Sequence, residues 1–389
     1  MIERLLGTLA IVSMLLACAP AASAPPAQRE PAAAAPPSAA PAVASTGPGA
    51  PTGAADPLQA LVAEARREGA LSLVWGEGTA GGTAGVRQMA EAFNREYGLN
   101  LDVRFTPGPD FPVMANRMAE EYLAQRPATS DVAMGYSNHM LAMIRAGALE
   151  SVDWATWAPN VRDPRLVSGG GTSVTFQSAL PGITYNSQKF TGDAVPRSLA
   201  DILKPQYRGH LAATPYAAWF DHLAAPELWG KPRVTEYVTQ LAQQASGLMR
   251  CNEKERMVSG EFDVLAIDCS QRGTLEMKAQ GAPLEFTVAS DAPLIALLYV
   301  AVPKHSAHPN AAKLWINYLL GRAGQDMLFA TASMDSHLVA GSQTVKEIDR
   351  LQAAGVKFVQ LDVEFYQRND EKELSDTLAE LQRILAKPQ

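Results

Sequence analysis

The stretch LSLVWGEGTAGGTAGVRQMAEAFNREYG, residues 71–98, decides the fold of this chain. Its first five residues are mostly apolar, which indicates a strand, and a Gly-rich loop follows over residues 76–82. The remainder repeats apolar residues at helical spacing and stops at Gly98, a typical helix end. A strand, a tight loop and a helix in succession predict the βα unit of an α/β fold.

The same alternation extends on both sides of this stretch. Upstream, Asp56 and Pro57 are suited to begin a helix, and Gly69 is suited to end it. Downstream, the order β-α-β-α predicts a mostly parallel sheet with helices on both faces. Further strands are predicted at residues 174–186, 211–213, 247–250, 264–267 and 294–302, further helices at residues 310–320 and 324–332, and a helical segment over the last 45 residues.

The alternating strands and helices form two α/β units. Two long extended segments, residues 174–186 and 285–302, join these units. They predict an α/β protein of two lobes, joined by two crossover strands, with a cleft between the lobes. In open α/β sheets a ligand binds beyond the C-terminal ends of the strands, and here both lobes would present such ends to the cleft. This architecture favours hinge closure around a small molecule.

The N-terminus carries an apolar stretch that ends in Leu15-Leu16-Ala17-Cys18. The stretch is shorter than the roughly 20 residues of a membrane span and fits the core of a signal peptide. The tetrapeptide resembles the lipobox of bacterial lipoproteins, which implies cleavage before Cys18 and lipidation of that residue. The alternative is an ordinary secretory signal cut after Ala24, which would leave Pro25 immediately behind the cut.

Residues 19–56 consist mainly of Ala and Pro, and their only charged residues are Arg29, Glu30 and Asp56. Such a segment buries too little apolar surface to offset the entropy of ordering, so it predicts a disordered tether. The chain as a whole is mildly acidic, with a net charge of −7 and no basic block, which argues against a nucleic-acid partner. We therefore predict an extracytoplasmic protein that is held at a membrane by a lipid on Cys18.

Two cysteines remain once Cys18 is set aside, Cys251 and Cys269. In an oxidising compartment an even pair suggests one disulfide. Asn252 can cap a following helix, and Cys269 follows a predicted strand, so a bridge would fasten two loops at the cleft. Two alternatives stay open: a reactive thiol pair that binds a soft metal or metalloid, and plain buried thiols.

Several motifs, taken together and in this order, resemble extracellular solute-binding proteins of the ferric-iron-binding-like branch. The resemblance covers about residues 58–385. Its motifs are ALVAEARREGA at residues 60–70, GITYN at residues 182–186, SLADIL at residues 198–203 with RGH at residues 208–210, and HPNAAKLW at residues 308–315 with YLL at residues 318–320 and GQ at residues 324–325.

The resemblance implies a type II periplasmic-binding-protein fold and an ABC transporter permease as the partner. It predicts a monomer without cofactor or metal that captures a small-molecule solute and catalyses no reaction. Two alternatives remain, a ligand-sensing subunit for a membrane receptor kinase and a ferric-iron binder. Ferric-binding relatives carry adjacent tyrosines where this sequence has Asp268-Cys269-Ser270, so the phenolate ligands of iron are absent from that position.

The resemblance also implies boundaries. A signal peptide would span residues 1–17, and the lipidated cysteine with its tether residues 18–56. The first lobe would comprise residues 57–178 and 295–342, and the second lobe residues 179–294. Residues 343–389 would form a helical segment that packs on the lobes.

The candidate ligand residues lie in loops that follow predicted strands. The loop over residues 77–83 opens a helix and could hold an anionic group on its N–H groups, or it could be a simple tight turn. It lacks the lysine of a phosphate-binding loop, and the chain has no HExxH or Gly-x-Ser-x-Gly motif. The candidates are Glu77, Gly78, Thr79, Tyr136, Ser137, Tyr185, Thr214, Tyr216, Cys251, Asp268, Cys269 and Ser270.

Overall fold

The structure is a computed structural model that describes residues 56–386. The predicted signal peptide, the predicted lipidation site Cys18 and the predicted tether up to residue 55 lie outside the described residues. The described part contains two five-stranded sheets and one two-stranded sheet, with helices packed around them. Among these residues, no helix is both long and apolar enough to cross a membrane.

Helices and strands alternate over the first part of the described chain, as predicted. The first helix begins where the Asp56 carboxylate accepts a hydrogen bond from the Leu58 N–H at 3.1 Å, and it ends at Gly69 with φ +71°. The elements are α1 (Pro57–Glu68), β1 (Ala70–Gly76), α2 (Gly82–Tyr97), β2 (Asp102–Gly108), α3 (Phe111–Leu123), β3 (Ala133–Tyr136), α4 (Ser137–Arg145), β4 (Val167–Ser168) and β5 (Ser173–Ala179).

A second run of alternating elements follows. It consists of β6 (Gly182–Asn186), α5 (Leu199–Ile202), β7 (Leu211–Ala213), α6 (Phe220–Leu223), α7 (Lys231–Gln244), β8 (Gly247–Leu248), α8 (Glu255–Val258), β9 (Val264–Asp268), α9 (Arg272–Ala279) and β10 (Leu284–Thr287). The chain then returns through β11 (Leu294–Ala301), α10 (Pro309–Leu320), α11 (Arg322–Ala332), α12 (Gln343–Ala353), β12 (Val359–Leu361), α13 (Val363–Arg368) and α14 (Glu371–Leu385).

We call the part built on β1–β5 and β11 the first lobe and the part built on β6–β10 the second lobe. In the first lobe, β1 and β2 pair in parallel from Ala70 opposite Asp102 to Gly76 opposite Gly108. The segment before β3 lies beside β1, because the Asp131 N–H donates to the Ser72 carbonyl oxygen at 2.8 Å.

The prediction of a mostly parallel sheet is wrong for the larger sheet of the first lobe. There β11, buried along its whole length, runs antiparallel to both β3 and β5. The reason is topological: β11 brings the chain back from the second lobe, so it enters the sheet against the direction of the strands that left it. Sequence periodicity reports which residues are buried and carries no sign of strand direction.

The second lobe has the strand order β10-β6-β9-β7-β8. Its strands β7, β8 and β9 are parallel, so their C-terminal ends lie at one edge of the sheet. The crossover strands β6 and β10 pair with each other in antiparallel fashion. They approach so closely that a Cβ at Gly182 would lie 2.4 Å from Phe286 Cζ, which explains the glycine at the start of β6.

Residues 343–385, which we call the C-terminal strap, contact both lobes. The prediction of an all-helical segment missed β12, which pairs in parallel with β11 from Val359 opposite Leu294. Helix α13 packs against α4 of the first lobe, and α14 packs against α6 and α7 of the second lobe. Ion pairs also join α14 to each lobe, through Arg145 of α4 with Glu371 at 2.8 Å and Lys231 of α7 with Glu380 at 3.1 Å.

Candidate functional site

The loops that follow β1, β8 and β9 meet around a cavity of about 360 Å³, which we call the interlobe cavity. Its walls come from both lobes and lie at the C-terminal ends of strands, where open α/β sheets bind ligands. The first lobe contributes Glu77 and Gly78. The second lobe contributes Cys251, Asn252, Lys254, Glu255, Asp268, Cys269, Ser270, Arg272, Gly273, Glu276 and Met277.

The first-lobe wall is the loop between β1 and α2. Its backbone makes a short 3₁₀ turn, Thr79–Gly81, before α2 begins. Gly81 has φ +80°, and a Cβ there would lie 2.8 Å from Thr331 of α11, so only glycine fits this turn. Glu77 is exposed in this loop, and no described residue forms a hydrogen bond or ion pair with its carboxylate.

The second-lobe wall is fastened by a disulfide between Cys251 and Cys269, whose Cα atoms lie 5.8 Å apart. The loops it joins follow strands that are not neighbours in the sheet, because β7 lies between β8 and β9. The expected helix cap at Asn252 is also wrong: α8 begins at Glu255 and Lys254 precedes it. The bridge therefore spans the end of β7 and joins the loops that follow β8 and β9.

Tyr216 and Trp219, which follow β7, form hydrogen bonds with the backbone of the two bridged cysteines. The Tyr216 hydroxyl accepts a hydrogen bond from the Cys251 N–H at 2.9 Å and lies 3.5 Å from Cys269 Sγ. The Trp219 indole N–H donates to the Cys269 carbonyl oxygen at 3.0 Å. Burial raises the pKa of Tyr216, so its phenol stays neutral. Tyr216 therefore stabilises the wall that the disulfide forms and does not itself line the cavity.

Asp268 and Lys254 form a buried ion pair beneath the cavity, with Nζ 3.0 Å from Oδ1 and side-chain exposures of 2% and 3% respectively. The other carboxylate oxygen of Asp268 accepts hydrogen bonds from the hydroxyls of Thr184 at 2.6 Å and Thr274 at 3.3 Å. Both oxygens are thus engaged inside the lobe. Asp268 lines the cavity as predicted, but the contacts of both its oxygens show that it stabilises the loop at the end of β9.

Arg272 joins the two walls. Its guanidinium donates to the Gly78 carbonyl oxygen at 3.0 Å and also to Glu276 Oε1 at 2.7 Å, one turn along α9. It is the first residue of α9 and directly follows the loop that carries Cys269 and Ser270. The contact links the first lobe to the second at the rim of the cavity.

Tyr136 lies between the lobes without lining the interlobe cavity. Its ring packs edge-on against Phe111 and Trp219, with 5.7 Å between centroids in each case. Burial raises the pKa of Tyr136 to about 12, so the phenol is neutral. The pair Tyr136–Trp219 is therefore an apolar contact between the first and second lobes.

Four other predicted residues, Thr79, Ser137, Tyr185 and Thr214, lie away from the cavity lining. The Ser137 hydroxyl donates to the Leu361 carbonyl oxygen of β12, and the Thr214 hydroxyl accepts from the Ala218 N–H at 2.8 Å. Tyr185 lies at the far end of β6, opposite Val264 and Glu285. The structure thus brings together Glu77, Gly78, Cys251, Asp268, Cys269 and Ser270, and these remain predictions as ligand contacts.

Sequence reasoning missed Asn252, Lys254, Glu255, Arg272 and Glu276 in the lining. A signal for two of them was present: Arg272 and Glu276 stand four residues apart at the start of a helix that follows a predicted strand, a position that faces the ligand side of a sheet. Lys254 and its partner Asp268 are fourteen residues apart, and nothing local in the sequence indicates that they pair.

A second cavity of about 360 Å³, the strap cavity, lies between both lobes and the C-terminal strap. It is walled mainly by the helices α3, α4 and α14, and not by strand ends. His139 lines it, and burial lowers the pKa of this histidine to about 4, which keeps the imidazole neutral. Its two acidic groups, Asp221 and Glu371, are paired with His222 and Arg145.

Within residues 56–386 no group of three His, Cys, Asp or Glu side chains is arranged to hold a metal ion. The chain matches the family model described as bacterial extracellular solute-binding protein over residues 129–347. The chain belongs to this family. The match covers more than half of the sequence, and it confirms the resemblance that the sequence motifs indicated.

Solved structures of other solute-binding proteins resemble this one in fold. Iron-bound HitA from Pseudomonas aeruginosa has a TM-score of 0.61 at 18% identity, with 82% of this chain and 99% of that chain covered. AfuA from Actinobacillus pleuropneumoniae, with fructose-6-phosphate bound, has a TM-score of 0.58 at 18% identity over 80% and 98% of the chains.

AgtB from A. tumefaciens R10, in complex with agropinic acid, has a TM-score of 0.59 at 16% identity over 80% and 98% of the chains. No curated protein sequence matches this solute-binding protein. At these identities the likeness concerns the fold, and it confirms the predicted two-lobed α/β architecture of periplasmic binding proteins.

Proposed function

We propose that this solute-binding protein captures a small molecule in the interlobe cavity and delivers it to an ABC transporter permease. One observation carries the proposal: loops at strand ends of both lobes enclose a single cavity of about 360 Å³. This volume lies within the range of about 300–1,000 Å³ that is usual for small-molecule sites. A solute that contacts both lobes stabilises one relative position of the lobes, and a permease can bind the protein selectively in that position.

The lobe boundaries of the sequence analysis are part of this proposal. Residues 57–178 with 295–342 would move as one lobe and residues 179–294 as the other. The two connections between them, β5 to β6 and β10 to β11, supply the hinge. The hydrogen bond from Arg272 to Gly78 and the contact of Trp219 with Tyr136 would form as the lobes close.

The placement outside the cytoplasm rests on the N-terminal sequence and on the family, whose members are extracellular. Cleavage before Cys18 and lipidation of that residue would anchor the protein, and the Ala- and Pro-rich segment up to residue 56 would let the lobes reach away from the membrane. The disulfide between Cys251 and Cys269 is compatible with such an oxidising compartment.

The test is thermal unfolding of the full-chain protein against a library of metabolites, together with native mass spectrometry of freshly purified protein. We expect one compound class to raise the melting temperature and one compound to be retained at one copy per chain. Replacing Ser270 with Tyr fills the cavity and should abolish both effects. Ser259→Tyr, at the exposed end of α8, is the matched control and should preserve them.

Two results would contradict the proposal. The first is a folded protein that no member of a chemically broad library stabilises. The second is a retained compound whose binding survives Ser270→Tyr, since it would then occupy another site. Turnover of a retained compound would contradict the expectation that the protein catalyses no reaction.

A further inference from the structure

The charges that line the interlobe cavity are unbalanced. Four carboxylates contribute to its walls, Glu77, Glu255, Asp268 and Glu276, against two basic groups, Lys254 and Arg272. The formal excess is two negative charges. This excess bears on the class of solute, which the proposed function leaves open.

Both basic groups are already neutralised by partners. Lys254 pairs with the buried Asp268 at 3.0 Å, and Arg272 pairs with Glu276 at 2.7 Å. The two carboxylates left over are Glu77 on the first lobe and Glu255 on the second. No residue among 56–386 forms an ion pair or hydrogen bond with either side chain.

An opposing effect comes from the helix N-termini at the cavity. Helices α2 and α9 begin in the loops that form the two walls. Each N-terminus is equivalent to roughly half a positive charge, so the two together offset about one of the two excess negative charges. The count of charges around the cavity therefore remains negative, by about one unit.

An anionic solute would also find the two charged hydrogen-bond donors of the cavity occupied. The Lys254 ammonium is buried and donates to the Asp268 carboxylate and to the Cys251 carbonyl oxygen. Separating it from Asp268 would leave a buried carboxylate without its counter-charge, which is strongly unfavourable. The Arg272 guanidinium is held between Glu276 and the Gly78 carbonyl oxygen.

The free polar groups of the cavity suit a positively charged solute. Glu77 and Glu255 approach the cavity from opposite lobes and can each accept hydrogen bonds from an ammonium or guanidinium group. Ser270 and Asn252 supply further oxygens. A cavity of about 360 Å³ holds an organic molecule, whereas a metal ion needs ligands at about 2.0–2.6 Å on all sides.

Resting on the proposed function, we infer that the captured solute is a small organic cation that carries an amine or guanidine group. Glu77 and Glu255 are the residues that select it, one from each lobe. Because the two carboxylates repel each other, the lobes close more easily once a cation lies between them. Charge selection and closure then depend on the same two side chains.

The experiment sorts a metabolite library by charge at pH 7 and measures stabilisation of the full-chain protein for cationic, neutral and anionic members. We expect the stabilising members to be cations, with an effect that weakens as salt is added. Glu77→Gln and Glu255→Gln should each weaken binding of the best cation roughly two- to fivefold, and the double variant should weaken it further. Glu91→Gln on α2 and Glu236→Gln on α7 are exposed controls that should leave binding unchanged.

The outcomes separate this inference from the proposed function. If the stabilising or retained solute is anionic or neutral, the charge inference is overturned and solute capture stands. The inference also fails if Glu77→Gln and Glu255→Gln bind the cation as tightly as the two control variants do. If no solute of any class stabilises the protein, solute capture itself is overturned. The unfolding temperature of each free variant shows that it is folded.

Discussion

The guanidinium of Arg272 on the second lobe donates a hydrogen bond to the carbonyl oxygen of Gly78 on the first lobe, with 3.0 Å between nitrogen and oxygen. The same group is oriented by Glu276, one helical turn away. A contact that crosses the cavity and is fixed on one side by its own helix stabilises the observed arrangement of the two lobes.

We predict that Arg272→Gln shifts the protein toward an open arrangement. Loss of a charge-assisted hydrogen bond at a partly exposed site should raise the open population roughly fivefold. Hydrogen exchange of the amides in residues 77–81 and 269–273 should accelerate by the same factor. Arg322→Gln removes a comparable pair four residues apart on α11 and should leave these amides unaffected. Equal acceleration in both variants would argue against a role for Arg272 in closure.

The buried pair Lys254–Asp268 should be the most sensitive polar contact of the second lobe. Lys254→Met leaves the Asp268 carboxylate without a counter-charge, and we expect the free energy of unfolding to fall by about 3–5 kcal/mol. Urea denaturation measures this change. The double variant with Asp268→Asn should recover part of the loss, because the uncompensated charge is then absent.

The exposed pair Lys372–Asp376 on α14 provides the control. Lys372→Met should leave urea unfolding unchanged, since water already solvates both groups. If Lys372→Met and Lys254→Met had similar effects, burial would not be the cause of the sensitivity.

The disulfide between Cys251 and Cys269 closes a short loop, with a sequence separation of 18. A cross-link of this span should contribute about 2–4 kcal/mol by restricting the unfolded chain. We therefore expect the variant Cys251→Ser/Cys269→Ser to unfold at lower urea concentration. Wild-type protein in dithiothreitol should move to the same midpoint, while the double variant should not respond. A wild-type midpoint that ignores reductant would mean that the cysteines are not bridged.

Two half-buried histidines, His139 and His337, should make the protein sensitive to mild acid. Burial lowers the pKa of His139 and of His337 to about 4, whereas an unfolded chain protonates histidine near its ordinary value of about 6.5. Their stabilising contribution is therefore complete above about pH 6.5 and is lost as the pH falls toward 4, because the unfolded state then binds more protons.

Each histidine should cost up to about 1.4 kcal/mol of unfolding free energy per pH unit in that window. His139→Gln should flatten the decline between pH 6.5 and pH 4, measured by urea unfolding at a series of pH values. His305→Gln, at an exposed loop position, should leave the slope as it is in the wild type. If the unfolding free energy of His139→Gln declines as steeply with pH as that of the wild type, folding does not lower the pKa of His139.

The sequence predicted those parts of the fold that depend on local pattern. The Gly-rich loop between β1 and α2 and the fully buried strand β11 have strong local signals, and both lie where the sequence placed them. The strand β12 was missed because three residues are too few to show a period of two, and its partner residues in β11 lie 65 positions upstream. The antiparallel direction of β11 in the first lobe was also missed. It depends on the path by which the chain returns from the second lobe, which no local pattern indicates.

The candidate site was predicted at the level of loops. The loops after β1 and β9 do line the interlobe cavity, as the rule for α/β sheets requires. Which side chains face the cavity depends on tertiary pairing, so Asp268 could not be distinguished from a ligand residue until Lys254 and Thr184 were found to engage it. Tyr185 was assigned to the site from its strand, yet antiparallel pairing with β9 carries it to the opposite end of the sheet.

The C-terminal strap follows both lobes along the chain, so the ribosome makes it after them. Until residues 359–385 are free, β11 lacks its partner strand β12, and α6 and α7 lack the helix that covers them. Val363, Phe365, Leu381 and Leu385 of the strap belong to the same hydrophobic core as residues of both lobes, so this core is complete only once the strap is in place. A polypeptide shortened by a premature stop codon before residue 359 would therefore have both lobes incompletely covered.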